Sequence, residues 1–194
     1  MRIEGVIIAA GKSSRMAPHF KPVMDVHGKT LIERSIDSML PFCAKIVVVT
    51  GYMADHLQKV LPNYANLELI HNDAYEEGMF SSLKVGLSHV EGDRIFFLPG
   101  DCPFVDEQVY RKMLETDAEV IVPAYQGNLG HPVLFSKRSI NHLLKNNRYM
   151  TLKEFINEKE LKIIEVDCPG VAWDVDTPED YVKALKYFEG KERG

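Results

Sequence analysis

Lys12, Ser13, Ser14 and Arg15 follow a short apolar run ending in Ala9-Ala10-Gly11, within the stretch VIIAAGKSSRM at residues 6–16. Two cations, two hydroxyls and a turn of small residues can hold a phosphate chain, because glycine carries no Cβ and lets backbone N–H groups come close to an anion. A P-loop is excluded by spacing: the pattern G-x-x-x-x-G-K-[ST] needs glycine at position 6, which is Val6. An ordinary strand exit with two exposed basic residues would read the same in this stretch alone. Asp101 closes a second apolar run, IFFLPGD, where a carboxylate can hold a divalent cation or simply cap a turn or helix. Asp174 and Asp176 stand in WDVDTPED, and this segment is read as turning them to opposite sides, one of them toward the site. Two carboxylates from distant strand ends beside a basic glycine turn suit a magnesium-nucleotide site, since magnesium takes few protein carboxylates and completes its shell with phosphate and water. Lys21 precedes Pro22, which biases it toward extended backbone; its ammonium is either a point charge for a phosphate oxygen or a solvated loop lysine. Gly78, Ser81 and Ser82 open a helical stretch, where hydroxyls either cap the helix or bond a ligand. His131, in GHP, is either a ligand group or a turn residue.

The elements that must position these residues alternate along the chain. Residues 6–9, 45–50, 67–70, 94–100 and 119–124 are short β-branched or aromatic runs that predict strands. Between them, residues 30–40, 54–61, 81–90 and 106–114 place apolar side chains at helical spacing. This rhythm predicts an α/β fold with a mainly parallel sheet covered on both faces, whose ligand sites lie beyond the C-terminal strand ends. Beyond Pro123 the rhythm changes to a glycine-rich turn and extended segment at 125–136, short helices at 139–145 and 152–156, and a late strand at 161–166. Thr177, Pro178 and the acids after them predict a capped final helix.

A chain of 194 residues with 45% hydrophobic composition supports one substantial core, expected as a single domain over residues 1–190 with a frayed tail at 191–194. With 23 basic against 28 acidic residues, broad electrostatic binding of nucleic acid or anionic membrane is not expected. Cys43, Cys102 and Cys168 have no paired spacing, so neither a disulfide framework nor a zinc site is expected, and a cytoplasmic location is. The apolar run at the start is too short for a signal peptide and is read as a first strand.

Taken in order, IIAAGKSSRM, FKPVMDVHGKTLIERSI, VVVTGY, HNDAYEEGMFSSLKVGL, FLPGDCPFV, GHPVLF and DVDTPEDY resemble the MobA-like nucleotidyltransferases, and within them the molybdopterin cytidylyltransferase branch and its molybdenum-hydroxylase accessory relatives. The resemblance covers nearly the whole chain. It implies a Rossmann-like three-layer nucleotidyltransferase fold with a mainly parallel, mixed sheet, and transfer of a nucleotide, CMP from CTP, to a phosphorylated acceptor such as molybdopterin, with magnesium and release of pyrophosphate. It implies that Ala9, Ala10, Gly11, Lys12, Ser13, Ser14 and Arg15 hold base and phosphates, that Lys21 touches phosphate, and that Gly78 and Ser82 line the base pocket. Asp101 matches the family's metal-binding aspartate and Asp176 its second ligand, while His131 faces the acceptor. The chain departs from the family pattern at Ala17, where glycine is usual, and at KNNRYM, where relatives carry Gly-Asp before a basic residue and Arg148 keeps an anion contact. Ala10-Gly11 is similar to the cytidylyl-transferring members, which implies CTP ahead of GTP, with ATP a weak substrate. FKPVMDVHGKTLI is also similar to sugar-phosphate nucleotidyltransferases, the alternative enzyme reading. A further alternative is a non-catalytic assembly protein that binds molybdopterin or an apo-molybdoenzyme; it would need neither Asp101 nor Asp176, and both are present.

Overall fold

The structure, a computed structural model, describes residues 1–61 and 64–192. Its elements run β1 (Ile3–Ala9), β2 (Asp25–Val26), β3 (Lys29–Thr30), α1 (Leu31–Met39), β4 (Lys45–Thr50), α2 (Ala54–Val60), β5 (Leu67–His71), α3 (Met79–Leu87), β6 (Arg94–Pro99), α4 (Glu107–Leu114), β7 (Val120–Tyr125), β8 (Asn128–Leu129), β9 (Val133–Ser136), α5 (Lys137–Lys145), α6 (Leu152–Asn157), β10 (Leu161–Glu165) and α7 (Pro178–Glu192). The central sheet has the order β10-β7-β9-β6-β1-β4-β5, with β8 hairpinned onto β7. Strands β6, β1, β4 and β5 are mutually parallel, as are β10 and β7. Strand β9 runs antiparallel between β6 and β7, which makes the sheet mixed. The expected α/β architecture is therefore the observed one.

Strand β1 lies between β4 and β6, with Val6 paired to Val47 on one side and Phe97 on the other. Because successive side chains point to opposite faces, Ile7, Val48, Phe96 and Leu98 meet Ile32, Ile36 and Tyr110 in one layer. Val6, Ile8, Val49 and Phe97 meet Leu83, Leu87, Ile140 and Phe155 in the other. A third cluster closes the end of the sheet near the site, where Val175, Ala184 and Phe188 pack on Val26, Leu31 and Phe104.

Caps set several helix starts. Thr30 and Glu33 form a reciprocal capping box on α1. Thr177 caps α7: its Oγ1 accepts from the Asp180 N–H at 3.2 Å, while Asp180 Oδ2 accepts from the Thr177 N–H at 3.1 Å. The Thr177 hydroxyl, which donates to Asp180 Oδ2 at 2.7 Å, is joined by Lys183 in holding Asp180 down at about 2. Helix α3 begins at Met79, two residues before the expected start, because Gly78 takes φ +100°, a backbone conformation open to glycine, and serves as its N-cap. The β2–β3 hairpin has too few residues to leave a periodic signal in the sequence. Helix α7 continues through Lys191, whose Nζ donates to Asp106 at 2.6 Å, and Glu192, so these two residues of the expected tail are helical. Residues 193 and 194 lie outside the described residues. Among the described residues, no helix is long and apolar enough to cross a membrane.

Candidate functional site

Beyond the C-terminal ends of β1 and β6 lies a cavity of about 270 Å³. Ser13, Ser14, Arg15, Lys21, Asp101 and Asp176 are among the residues that line it. Each wall has a local cause. The chain leaves β1 at Gly11, where an added Cβ would meet no protein atom within 4 Å, so the space above the turn is open to a ligand. Ser13 then takes a left-handed conformation, φ 53°, and starts a short 3-10 turn over Ser14–Met16. Its Oγ accepts the Lys21 N–H at 3.3 Å and ties the two basic segments together. Met16 and Phe20 are buried beneath this loop and fix it to the core.

Asp101 follows β6, and Val175 donates its N–H to the Asp101 carbonyl at 3.0 Å. That bond lays the chain entering α7 against the end of β6, so two segments distant in sequence present their carboxylates together. The Lys21 ammonium lies between them, 2.6 Å from Asp101 Oδ2 and 2.8 Å from Asp176 Oδ1. Arg15 reaches the other oxygen of Asp176 at 2.5 Å. The hydrogen bond from Lys21 lowers the Asp176 pKa, and the Lys21 and Arg15 charges act in the same direction. For Lys21 burial acts to lower the pKa, but the two carboxylates outweigh it and the net direction is upward.

The expectation that Asp174 and Asp176 face opposite ways is corrected. Residues two apart in extended chain share a face, and here the fully buried Val175 lies between two carboxylates that both stand outside the core. Desolvation raises the Asp174 pKa, and the neighbouring Asp176 and Asp101 charges raise it further. Trp173, 44% exposed and edge-on to Phe104 at 5.8 Å, lines a separate cavity with Asp174 and is a residue that the motif reading passed over. A lone tryptophan outside any spacing pattern gives no signal in sequence.

The structure does not bring every expected residue to the cavity. Ala9 and Gly11 line it, while the Ala10 methyl is buried in the layer with Ile8, Val49 and Leu83. The Ala10 carbonyl accepts the Tyr52 N–H at 3.1 Å. Lys12 turns outward and pairs with Glu76 at 2.5 Å. Ser82 is buried, its Oγ accepting from Asn72 Nδ2 at 2.9 Å, and Gly78 opens α3 on that same side of the turn. Arg148 is held by Glu158 and by Tyr149 Oη, so no residue of the cavity wall receives it. His131 is partly buried with its ring edge-on to Phe97 at 5.6 Å, and its Nδ1 is buried without a hydrogen-bond partner. Burial pushes this imidazole down to about 4, against a smaller upward pull from Asp101.

The donor set fits a magnesium ion. Two carboxylates already converge on one cationic atom, and hard oxygen donors of this kind suit magnesium when phosphate and water supply the remaining ligands. Among the described residues, no group of three or more His, Cys, Asp or Glu is placed to hold a metal by itself.

A mixed α/β sheet with a small-residue turn, a basic loop and paired carboxylates gathered at its strand ends defines a nucleotidyltransferase-type fold. Residues 5–163 match the MobA-like NTP transferase domain, and the chain belongs to that family of nucleotidyltransferases. It is 30% identical over 188 residues, 96% of this chain and 97% of the relative, to the molybdenum cofactor cytidylyltransferase of Escherichia coli (strain K12). It is 27% identical over 165 residues, 83% of this chain and 75% of the relative, to a molybdenum cofactor guanylyltransferase of Shewanella piezotolerans. Among solved structures, a nucleotidyl transferase from Methanothermobacter thermautotroptrophicus superposes with a TM-score of 0.85 at 22% identity, covering 98% of this chain and 99% of that one.

Proposed function

We propose that this protein transfers CMP from CTP to the phosphate of a pterin acceptor, molybdopterin, and releases pyrophosphate. The observation that carries this reading is the convergence of Arg15, Lys21, Asp101 and Asp176 on one cavity beyond the β1 turn. The similarity to a molybdenum cofactor cytidylyltransferase over nearly the full length of both chains supports the choice of base and acceptor. Asp101 and Asp176 would hold magnesium, which supplies Lewis-acid stabilisation of the charge on the transferring phosphoryl group. The Ser13–Arg15 loop binds the triphosphate, with Lys21 and Arg15 offsetting charge on the pyrophosphate as it departs. The acceptor phosphate is ionised near neutral pH and attacks the α-phosphorus in line, so no side chain has to remove a proton. Catalysis then rests on placement and fixed charge. Lys12 contributes to the triphosphate only after leaving Glu76, and Arg148 only after leaving Glu158.

The test is pyrophosphate release on incubation with magnesium, molybdopterin and CTP, GTP or ATP in turn. CTP is expected to give the highest specificity constant. Asp101→Ala is expected to lower turnover by about a thousandfold or more, equivalent to roughly 4 kcal/mol, while the circular dichroism spectrum is unchanged. Full activity in that variant, or release only with a sugar phosphate as acceptor, would overturn the assignment.

A further inference from the structure

We propose that Lys21 is the resident counter-ion of the Asp101–Asp176 pair, so that a divalent cation enters this site together with the nucleotide rather than ahead of it. The inference rests on the nucleotidyl-transfer reading and concerns how that site is loaded. The Lys21 ammonium contacts both carboxylates, at 2.6 and 2.8 Å, from a side chain only 12% exposed. A cation bridging Asp101 and Asp176 would need the oxygens that Lys21 now holds.

Charge explains why the exchange needs the nucleotide. Lys21 and Arg15 carry two positive charges among Asp101, Asp176 and the nearby Asp174, so the carboxylates are already largely offset. A divalent cation arriving alone would add two positive charges where the carboxylates are largely compensated and would meet an ammonium at contact distance. A triphosphate arriving with it brings the compensating anion and gives Lys21 somewhere to go. The lysine backbone need not move: its N–H is held on Ser13 Oγ, and Pro22, next in the chain, is buried. Rotation of the side chain alone redirects the ammonium within the cavity that Ser13, Ser14 and Arg15 also line. Arg15 cannot substitute as the resident ion, because it touches one carboxylate and is 71% exposed.

Binding of the two ligands is then reciprocal: nucleotide raises cation affinity by the factor by which the cation raises nucleotide affinity. The experiment measures Mn²⁺ binding by electron paramagnetic resonance, without nucleotide and then with CTP, the Mn²⁺–CTP complex in solution being measured separately. The proteins are wild type, Lys21→Met, Lys21→Gln and, as a charge control at the N-terminal end of β4 where Lys45 pairs with Glu68, Lys45→Met. Wild type is expected to bind Mn²⁺ weakly without CTP. Either neutral Lys21 variant should tighten nucleotide-free Mn²⁺ binding about tenfold, within the roughly 5- to 150-fold span of site-to-site coupling, and reduce the enhancement by CTP correspondingly. Lys45→Met should match wild type. Wild type binding Mn²⁺ alone as tightly as the folded Lys21 variants would overturn the inference, and so would an equal effect of Lys45→Met. A different failure marks the underlying reading: if Asp101→Asn holds Mn²⁺ in the presence of CTP as well as wild type does, Asp101 is not a metal ligand and the nucleotidyl-transfer assignment of the site falls with it.

Discussion

His131 gives the fold an acid limit. Its pKa of about 4 lies below the ordinary value of 6.5, so between those two values the unfolded chain binds a proton that the folded chain refuses. Stability contributed by the neutral imidazole is therefore fully present above pH 6.5 and declines as pH falls toward 4. The linkage amounts to at most about 3 kcal/mol, from 1.36 kcal/mol per pKa unit. Urea unfolding at pH 7.5 and pH 4.5 should show wild type losing more stability over that interval than His131→Gln, which has no group titrating there. Equal losses in the two proteins would mean that the acid sensitivity arises elsewhere, among the paired carboxylates. The buried, unpartnered Nδ1 also shows why a GHP tripeptide alone could not decide between ligand and turn residue: both need the same sequence, and only burial separates them.

At the scale of elements, the junction of the β1 turn with α3 bears on which base is read. The Ala10 methyl is 3% exposed and packs in the layer that contains Leu83, the neighbour of Ser82 on α3. It therefore acts as a spacer between the turn and the helix rather than as a wall against the base. Ala10→Gly should destabilise the protein by about 1 kcal/mol, through the lost buried methyl and the added freedom of glycine. It should also shift the CTP-to-GTP ratio of specificity constants toward GTP. The shift should be smaller than the roughly 10- to 200-fold span open to a methyl in direct contact with a substrate, because this methyl acts only through the spacing of turn and helix. A competition assay between the two triphosphates, run on wild type and variant, checks this. A wild-type preference for GTP, or an unmoved ratio, would remove Ala10 as selector.

For the whole molecule, the segment that closes the site is held by packing beyond the part of the chain matching the family domain, which ends at residue 163. Phe188 stacks on Phe104 at 5.8 Å, and the Arg34 guanidinium lies 4.5 Å from the centre of its ring. Through Val175 and Ala184 the same cluster carries Asp176 to the end of β6. Phe188→Ala is expected to cost about 3 kcal/mol, the lower end for a buried phenylalanine. It should also lower turnover, because the carboxylate loses its support. Urea unfolding together with pyrophosphate release tests both. A loss under about 0.5 kcal/mol, within the ordinary range for surface changes, would show that the Phe188 packing does not support the fold.

The sequence by itself determined the alternation of strands and helices, the capped start of α7, and the chemistry gathered in the basic loop, Lys21, Asp101 and DVDTPED, because period, capping and residue type are local properties. The antiparallel insertion of β9 was not legible: an extended run has the same pattern in either direction, and only pairing with β6 and β7 sets its sense. Nor could the sequence tell that Lys12 turns to Glu76 while Lys21 turns to two aspartates, since identical side chains in one loop are separated only by what folds beside them. The tertiary structure decided that Asp101 and Asp176 share one cation position. A carboxylate pair made by residues 75 apart depends on a backbone hydrogen bond from Val175 to Asp101 and on the Phe104–Phe188 packing behind it, and contacts at that separation leave no trace in local pattern.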